Sequence, residues 1–505
     1  MFHKTSARHS PTPAFRWLLG VAASSALVVA TVPAMPVLAE QANVERIDHY
    51  VLEQMARTPR VRVMVVARHS LDMVKGDLHR AGAEHSVQVP IVHALAVELT
   101  RAQIDLLSEN PDVERIIYDA PVRLNDTAFD PSALATVYPA AVDAVAQWSN
   151  VTAPGTGMGI GVAVVDSGIA AHPDFSPRVV INQDFNPNVT DANDAYGHGT
   201  AVSGIVAGNG SASAGQYIGI APQANLINLR VNDGTGAAPT SAIMNAILWA
   251  VSNRAAYNIR VLNLSLSSSV QESYLTSPID AAVEYAWLKG IVVVVAAGNN
   301  GPNSALYAPA NDPYVITVGA TDDRGTPTIG DDTLAAFSSF GTTQNGYSKP
   351  DFVAPGRHII TTLAPNSNFA VNYPSYLVGS QYIQLSGTSV AAPIISGVAA
   401  LYIERNPTVR PGQLKGVLLA TAQPLGQLGT GAGYPDATRA VSSTGLVGNA
   451  DHGIVPNNYL QIMYMQANSL QTLLTVSWDS VSWDTVSWAS VSWDSVSWDA
   501  VSWGS

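Results

Sequence analysis

The chain has 505 residues, 47% hydrophobic and 12% charged, which is enough apolar matter for a sizeable core and excludes a disordered chain. A net charge of −13 argues against general affinity for nucleic acid. The absence of cysteine excludes disulfides, a thiol nucleophile and Cys-bound metal.

Residues 1–39 read as a secretory signal. Lys4, Arg8 and Arg16 lead an apolar stretch over 17–32, and Val37-Leu38-Ala39 suits a signal peptidase. The stretch is short for a bilayer span and stops at Pro33 and Pro36; an uncleaved anchor is the competing reading. The expected location is extracellular, free or held at the cell surface. In residues 40–126, strand patterns at 61–67, 93–99 and 113–118 alternate with helical spacing at 71–81 and 101–109, the second begun by Thr100 as N-cap. This order predicts a small ferredoxin-like α+β unit, which alone reads equally well as a free-standing accessory domain.

Between 127 and 445 the composition turns to Gly, Ala, Ser and Asn. Strands are predicted at 160–165, 226–231, 260–266, 291–297 and 314–318, and helices at 200–207, 241–253, 279–288 and 388–403. Such alternation predicts an α/β fold, a doubly wound, mostly parallel sheet with helices on both faces and active residues at the carboxyl ends of its strands. The tail, 446–505, repeats Val-Ser-Trp six times with a period of five. An odd period flips successive units to opposite strand faces, and five residues overshoot a helical turn. Turns, or disorder until a partner arrives, are both open. The tryptophans favour an interaction segment for cell envelope or a secretion partner over a structural cap.

Acyl transfer needs a nucleophile, a base to take its proton, a group to orient the base, and donors for the developing oxyanion. Candidates for all four are present. Asp166 closes the run Gly161-Val162-Ala163-Val164-Val165. His198 lies between Gly197 and Gly199 ahead of a small-residue helix. Asn299 follows an apolar strand and Gly298. Ser389 lies at the start of a helix, where backbone N–H groups and the dipole favour an oxyanion. Each alone has a plainer reading: a turn aspartate, a structural histidine, a turn asparagine and an N-cap serine. An α/β-hydrolase order through Asp436 and His452 is disfavoured, because Ala391 stands where the elbow needs glycine and no apolar strand leads into Gly387.

Taken in order, Val165-Asp166-Ser167-Gly168, His198-Gly199-Thr200, Ala297-Gly298-Asn299 and Gly387-Thr388-Ser389-Val390-Ala391-Ala392-Pro393 resemble the subtilisin-like (subtilase) serine peptidases. Gly219-Ile220-Ala221-Pro222 and Lys349-Pro350-Asp351-Phe352-Val353-Ala354-Pro355-Gly356 extend the resemblance over about 155–440. Val390 stands where methionine is common and Ser267 where glycine is; neither removes a catalytic group.

The resemblance implies a secreted serine endopeptidase in which Ser389 attacks, His198 is base then acid, Asp166 orients it, and Asn299 with the Ser389 N–H binds the oxyanion. It implies that Gly234, Thr235 and Gly236, with Ser265, Leu266 and Ser267, pair with substrate backbone. Asn300 and Tyr307 would lie near the first specificity pocket. The 40–126 unit resembles the family's inhibitory, chaperone-like prosegment, with self-cleavage between Val122 and Thr136. Polypeptide substrates and the chain's own prosegment are the expected partners. No cofactor is required for the chemistry. Structural calcium is expected from the family, yet the loop 209–215 lacks carboxylates and Asp191, Asn193 and Asp194 read equally as a solvated loop. The alternative is an inactive relative serving as a binding module; a tripeptide-releasing exopeptidase is disfavoured because nothing closes the cleft.

Overall fold

The computed structural model describes residues 46–83, 85–124, 137–150, 155–186, 193–232, 234–443 and 448–467. The signal and the Val-Ser-Trp repeats lie outside the described residues.

Near the N-terminus, four antiparallel strands lie in the order Ser86–Val89, Ala94–Thr100, Arg60–Ala67, Val113–Tyr118. Thr100 and Gln103 form a capping box that starts the helix Arg101–Ser108. The near-continuous apolar run at 61–67 has a reason in the strand period of two. Val61, Val63 and Val65 pack under the helices Leu71–Arg80 and Arg101–Ser108, around Val74, Leu78 and Ile104. Met64 and Val66 face the other way, into a core shared with the following domain. A sheet covered on one face by its own helices and on the other by the neighbouring domain is not a free-standing accessory unit. The edge strand Ser86–Val89, half exposed, and the helix His49–Met55 escape the periodicity reading.

The following domain is built on an eight-stranded sheet. Its main order is Thr333–Leu334, Ile316–Asp322, Val292–Ala296, Ile259–Leu264, Gly161–Asp166, Asn225–Arg230, Val179–Asp184, with Phe352–Pro355 also paired to Ile316–Asp322. Every pairing is parallel except that of Thr333–Leu334. Helices His198–Ala207 and Thr388–Arg405 pack on each other, as do Thr240–Ser252 and Pro278–Leu288, and both pairs pack on the sheet. The central strands Gly161–Asp166 and Val292–Ala296 are buried throughout, as strands covered on both faces must be.

The strand predicted at 260–266 breaks at Ser265. Ile259–Leu264 stays in the main sheet, while Leu266–Ser268 leaves it for a separate three-stranded antiparallel sheet. That sheet has Pro121–Leu124 in the middle and Ala237–Pro239 on the other side. The end of the N-terminal unit thus runs between two edges of its neighbour.

Residues 448–461, which the sequence places in the tail, pack on the α/β domain. Asn457 N–H donates to Glu284 Oε2 (2.8 Å), Tyr274 Oη to Val455 O (3.0 Å), and Trp287 Nε1 to the Asp451 carboxylate (3.0 Å). Glu284, Asp280 and Asp312 are fully buried; burial and repulsion from Asp312 hold Asp280 and Glu284 well above the usual carboxylate range, and burial, partly offset by hydrogen bonds, raises Asp312 to about 6. Folded-state values above unfolded ones mean the folded chain binds more protons. The cluster's stability is complete below the unfolded value and is lost as pH rises through about 6 for Asp312 and higher for its neighbours. Asp280→Asn is therefore expected to raise the Tm at pH 8 by on the order of 3 °C, with a smaller gain at pH 4. Thermal unfolding of a Ser389→Ala background at the two pH values checks it; a larger gain at pH 4 contradicts it.

Candidate active site

Asp166 ends the central strand Gly161–Asp166, and His198 opens the helix His198–Ala207. His198 Nδ1 lies 2.8 and 3.0 Å from the two Asp166 carboxylate oxygens, with both residues 1% exposed. A carboxylate there fixes the tautomer with the proton on Nδ1 and Nε2 as the basic nitrogen. The contact depends on Gly199: a Cβ on it would stand 2.2 Å from Gly168 O and 3.1 Å from Asp166 Oδ1.

Asp194 and Ser167 tie the two segments together. Asp194 accepts from Gly197 N–H, Thr200 N–H and Ser167 Oγ, each at 2.7 Å. Ser167 Oγ in turn accepts from Gly199 N–H at 2.9 Å. Burial raises the Asp194 carboxyl while these donors draw it back down. An Asp just ahead of a helix start is a capping signal, and it was the signal available for this role.

Ser389 is the second residue of Thr388–Arg405 and 2% exposed. Pro393, four residues on, has no N–H, so the Ser389 carbonyl loses its intrahelical donor. Ser265 Oγ replaces it at 2.7 Å, which accounts for the strand break at that residue. The Asn299 turn is locked to the same helix start. Asn299 Oδ1 accepts from Thr388 N–H and Oγ1, both at 3.0 Å, and Thr388 Oγ1 accepts from Gly298 N–H at 3.1 Å. With Oδ1 so engaged, Nδ2 is the donor end of the amide.

Gly234, Thr235 and Gly236 form the turn that leads into the paired edge, whose strand residues are Ala237–Pro239. Asn232 Oδ1 holds this turn through Gly234 N–H (2.6 Å) and Gly236 N–H (3.3 Å). On the opposite edge Leu266 and Ser267 are paired and Ser265 sits at the break. Asn300 N–H donates to Ser339 Oγ (3.0 Å), and Tyr307 Oη accepts from Gln271 Nε2 (2.9 Å). Asp436 caps the helix Ala437–Ser442, and His452 is exposed, so neither is committed to Ser389. In the loop 209–215, Asp174 supplies the missing carboxylate, accepting from Ala212 N–H (2.8 Å) and Tyr382 Oη (2.9 Å). Asp191 lies outside the described residues. Among the described residues, no group of three or more His, Cys, Asp or Glu is disposed to hold a metal ion.

The profile of the Subtilase family matches residues 157–444, more than half the chain. The chain belongs to the subtilase family. A second profile, Peptidase inhibitor I9, matches residues 43–125. The subtilase is 39% identical over 339 residues to Serine protease AprX of Bacillus subtilis, spanning 65% of this chain and 73% of that one. It is 32% identical over 370 residues to M-protease of Shouchella clausii, spanning 71% and 83%. Fervidolysin from Fervidobacterium pennivorans, described as a keratinolytic enzyme related to subtilisin, shares the fold at a TM-score of 0.59 and 23% identity. The match covers 77% of this chain and 61% of fervidolysin's. The protein is accordingly a subtilisin-like serine endopeptidase carrying an inhibitor-type prosegment. No described helix is long and apolar enough to cross a membrane.

Proposed function

We propose that the chain is a secreted, self-processing zymogen whose acyl-enzyme forms on Ser389. Ser389 Oγ attacks the scissile carbonyl while His198 Nε2 takes its proton, and Asp166 stabilises the imidazolium. The oxyanion is held by Asn299 Nδ2 and the Ser389 N–H. His198 then returns the proton to the leaving amine, and water, activated by the same imidazole, releases the acid.

The observation that carries this reading is the prosegment strand Pro121–Leu124, seated between Ala237–Pro239 and Leu266–Ser268 as a peptide substrate would be. Leu124 pairs with Leu266, the neighbour of Ser265, whose hydroxyl touches the Ser389 backbone. On this reading self-cleavage falls one residue further on, after Asn125. Labelling with a serine-directed phosphonylating reagent should mark Ser389 in the mature protein, and N-terminal sequencing should read Asp126. An unlabelled, uncut chain would instead support an inactive binding module.

Inhibition by the released prosegment is expected to depend on Asp119. The helix Thr240–Ser252 begins after Pro239 and has no side-chain cap of its own. Buried Asp119 supplies one across the junction, accepting from Ser241 N–H (3.1 Å) and Oγ (2.9 Å) and from Arg62 Nε (2.7 Å). Asp119→Ala should weaken inhibition by prosegment added in trans on the order of 100-fold; an unchanged inhibition constant would refute the cap.

The tail is best read as an interaction segment for envelope or a secretion partner, supported by its repeated tryptophans. Truncation before Thr475 should release the enzyme from cells without lowering its Tm; the reverse result indicates a structural cap.

A further inference from the structure

The strands Ile359–Thr362 and Tyr382–Leu385 pair directly, yet the chain between them makes a long excursion over 363–381. Connections of that length usually serve a site. This one does not run free over the surface. Asn368 N–H donates to Ala195 O (2.9 Å) and Phe369 N–H to Tyr196 O (3.2 Å), so it is hydrogen-bonded to the two residues just ahead of Gly197 and His198. Asn368 Nδ2 reaches Gly234 O (2.9 Å) at the turn before the substrate edge, and buried Ser367 caps the short helix Asn368–Asn372. The excursion therefore ties the histidine segment to the edge on which a substrate strand would lie.

It brings a buried phenyl ring into that gap. The Phe369 ring meets the His198 imidazole edge to face, with centroids 6.3 Å apart, and lies 5.1 Å from the Tyr196 ring. Tyr196 in turn reaches Gly236, where an added Cβ would stand 2.7 Å from its hydroxyl oxygen. Tyr196 and Phe369 thus span the distance from Gly236 to the base. The prosegment strand says which substrate residue passes there. Arg123 pairs with Ala237, so position 124 is level with Gly236. On the other edge, position 124 pairs with Leu266, and cross-strand partners share a face. Leu266 and Phe369 belong to one buried core with Tyr196 packed against it, so a substrate residue paired with Leu266 would turn its side chain to the face that holds the aromatic pair.

We propose that Tyr196 and Phe369 form the wall of a subsite for the second residue before the scissile bond, selecting apolar side chains and rejecting charged ones. A charge there would lose hydration against a ring surface whose one polar group, the Tyr196 hydroxyl, is neutral and cannot replace that hydration. The prosegment carries leucine, not a charged residue, at position 124, which fits this demand. The inference rests on the proteolytic reading above.

The test uses mature enzyme, with active sites counted by phosphonylation, and peptides differing only at the second residue before the cut. Wild type is expected to favour Leu over Asp and Lys there by about 10-fold or more in kcat/KM. In Phe369→Ala and Tyr196→Ala the ratio should fall toward unity. Phe369→Leu keeps most of the buried volume should the alanine variant fail to fold, and it should lower the ratio as well. In the full-length chain Leu124→Asp should delay appearance of the Asp126 N-terminus by about 10-fold. An unaltered ratio in all folded variants, or a wild type indifferent at this position, overturns the inference. A wild type that cuts no peptide and never processes itself overturns the proteolytic reading instead.

Discussion

Replacing Ser389 by alanine is expected to lower kcat by about 10⁶-fold, with KM little changed, and to leave the full-length chain uncut. The magnitude is that of a well-studied bacterial subtilisin triad. Its physical origin is the loss of the attacking oxygen from a residue whose backbone is already fixed by its neighbours. Thr388 joins the helix start to the Asn299 turn, and Ser265 takes the place of the donor that Pro393 lacks. Those contacts do not involve the Ser389 hydroxyl, so the alanine variant should keep its fold and its prosegment affinity. The assay requires mature protein made with the prosegment supplied as a separate chain, because the variant cannot release its own. A residual rate above the uncatalysed one is expected from the oxyanion donors and substrate binding. Normal processing or casein digestion by Ser389→Ala would place the nucleophile elsewhere.

Asp166→Asn is expected to cost about 10⁴-fold in kcat near neutral pH while leaving the backbone in place. Ser167 N–H donates to Asp166 Oδ1 at 2.7 Å, so an amide at this position must keep its oxygen there. Its NH₂ then occupies the site of Oδ2, 3.0 Å from His198 Nδ1, where it competes with the retained oxygen at 2.8 Å and, by donating to the ring, favours the tautomer protonated on Nε2. The ring proton moves to Nε2, the face that should take a proton from serine. The base is disabled without being moved. Steady-state kinetics on titrated enzyme check this, and a loss smaller than about tenfold would mean that the carboxylate does not set the tautomer.

The site was legible in the sequence where a function is written in adjacent residues. Asp166, His198, Asn299 and Ser389 each sit at the end of a strand or the start of a helix, and that local context marks them. The long apolar runs at 161–166 and 292–296 were legible for the same reason. What was not legible depends on residues distant in the chain. Val179–Asp184 escapes because an edge strand with half-exposed polar positions carries no strong alternation. The break at Ser265 cannot be read locally, since it answers a carbonyl freed by Pro393. Asp119 looks like any turn aspartate until the helix it caps, more than a hundred residues later, is beside it. Phe369 lies in a segment rich in Asn, Ser and Tyr whose composition suggests only a surface loop.

The three-stranded sheet that holds Pro121–Leu124 has a bearing on which proteins this peptidase can attack. Both flanking strands offer their main chain, so a target must present several consecutive residues drawn out straight, with amides and carbonyls unengaged. Segments wound into helices or held in tight turns cannot do so until they fray. Among natively folded proteins, the order of digestion should then follow how readily each segment opens more than which residues it contains.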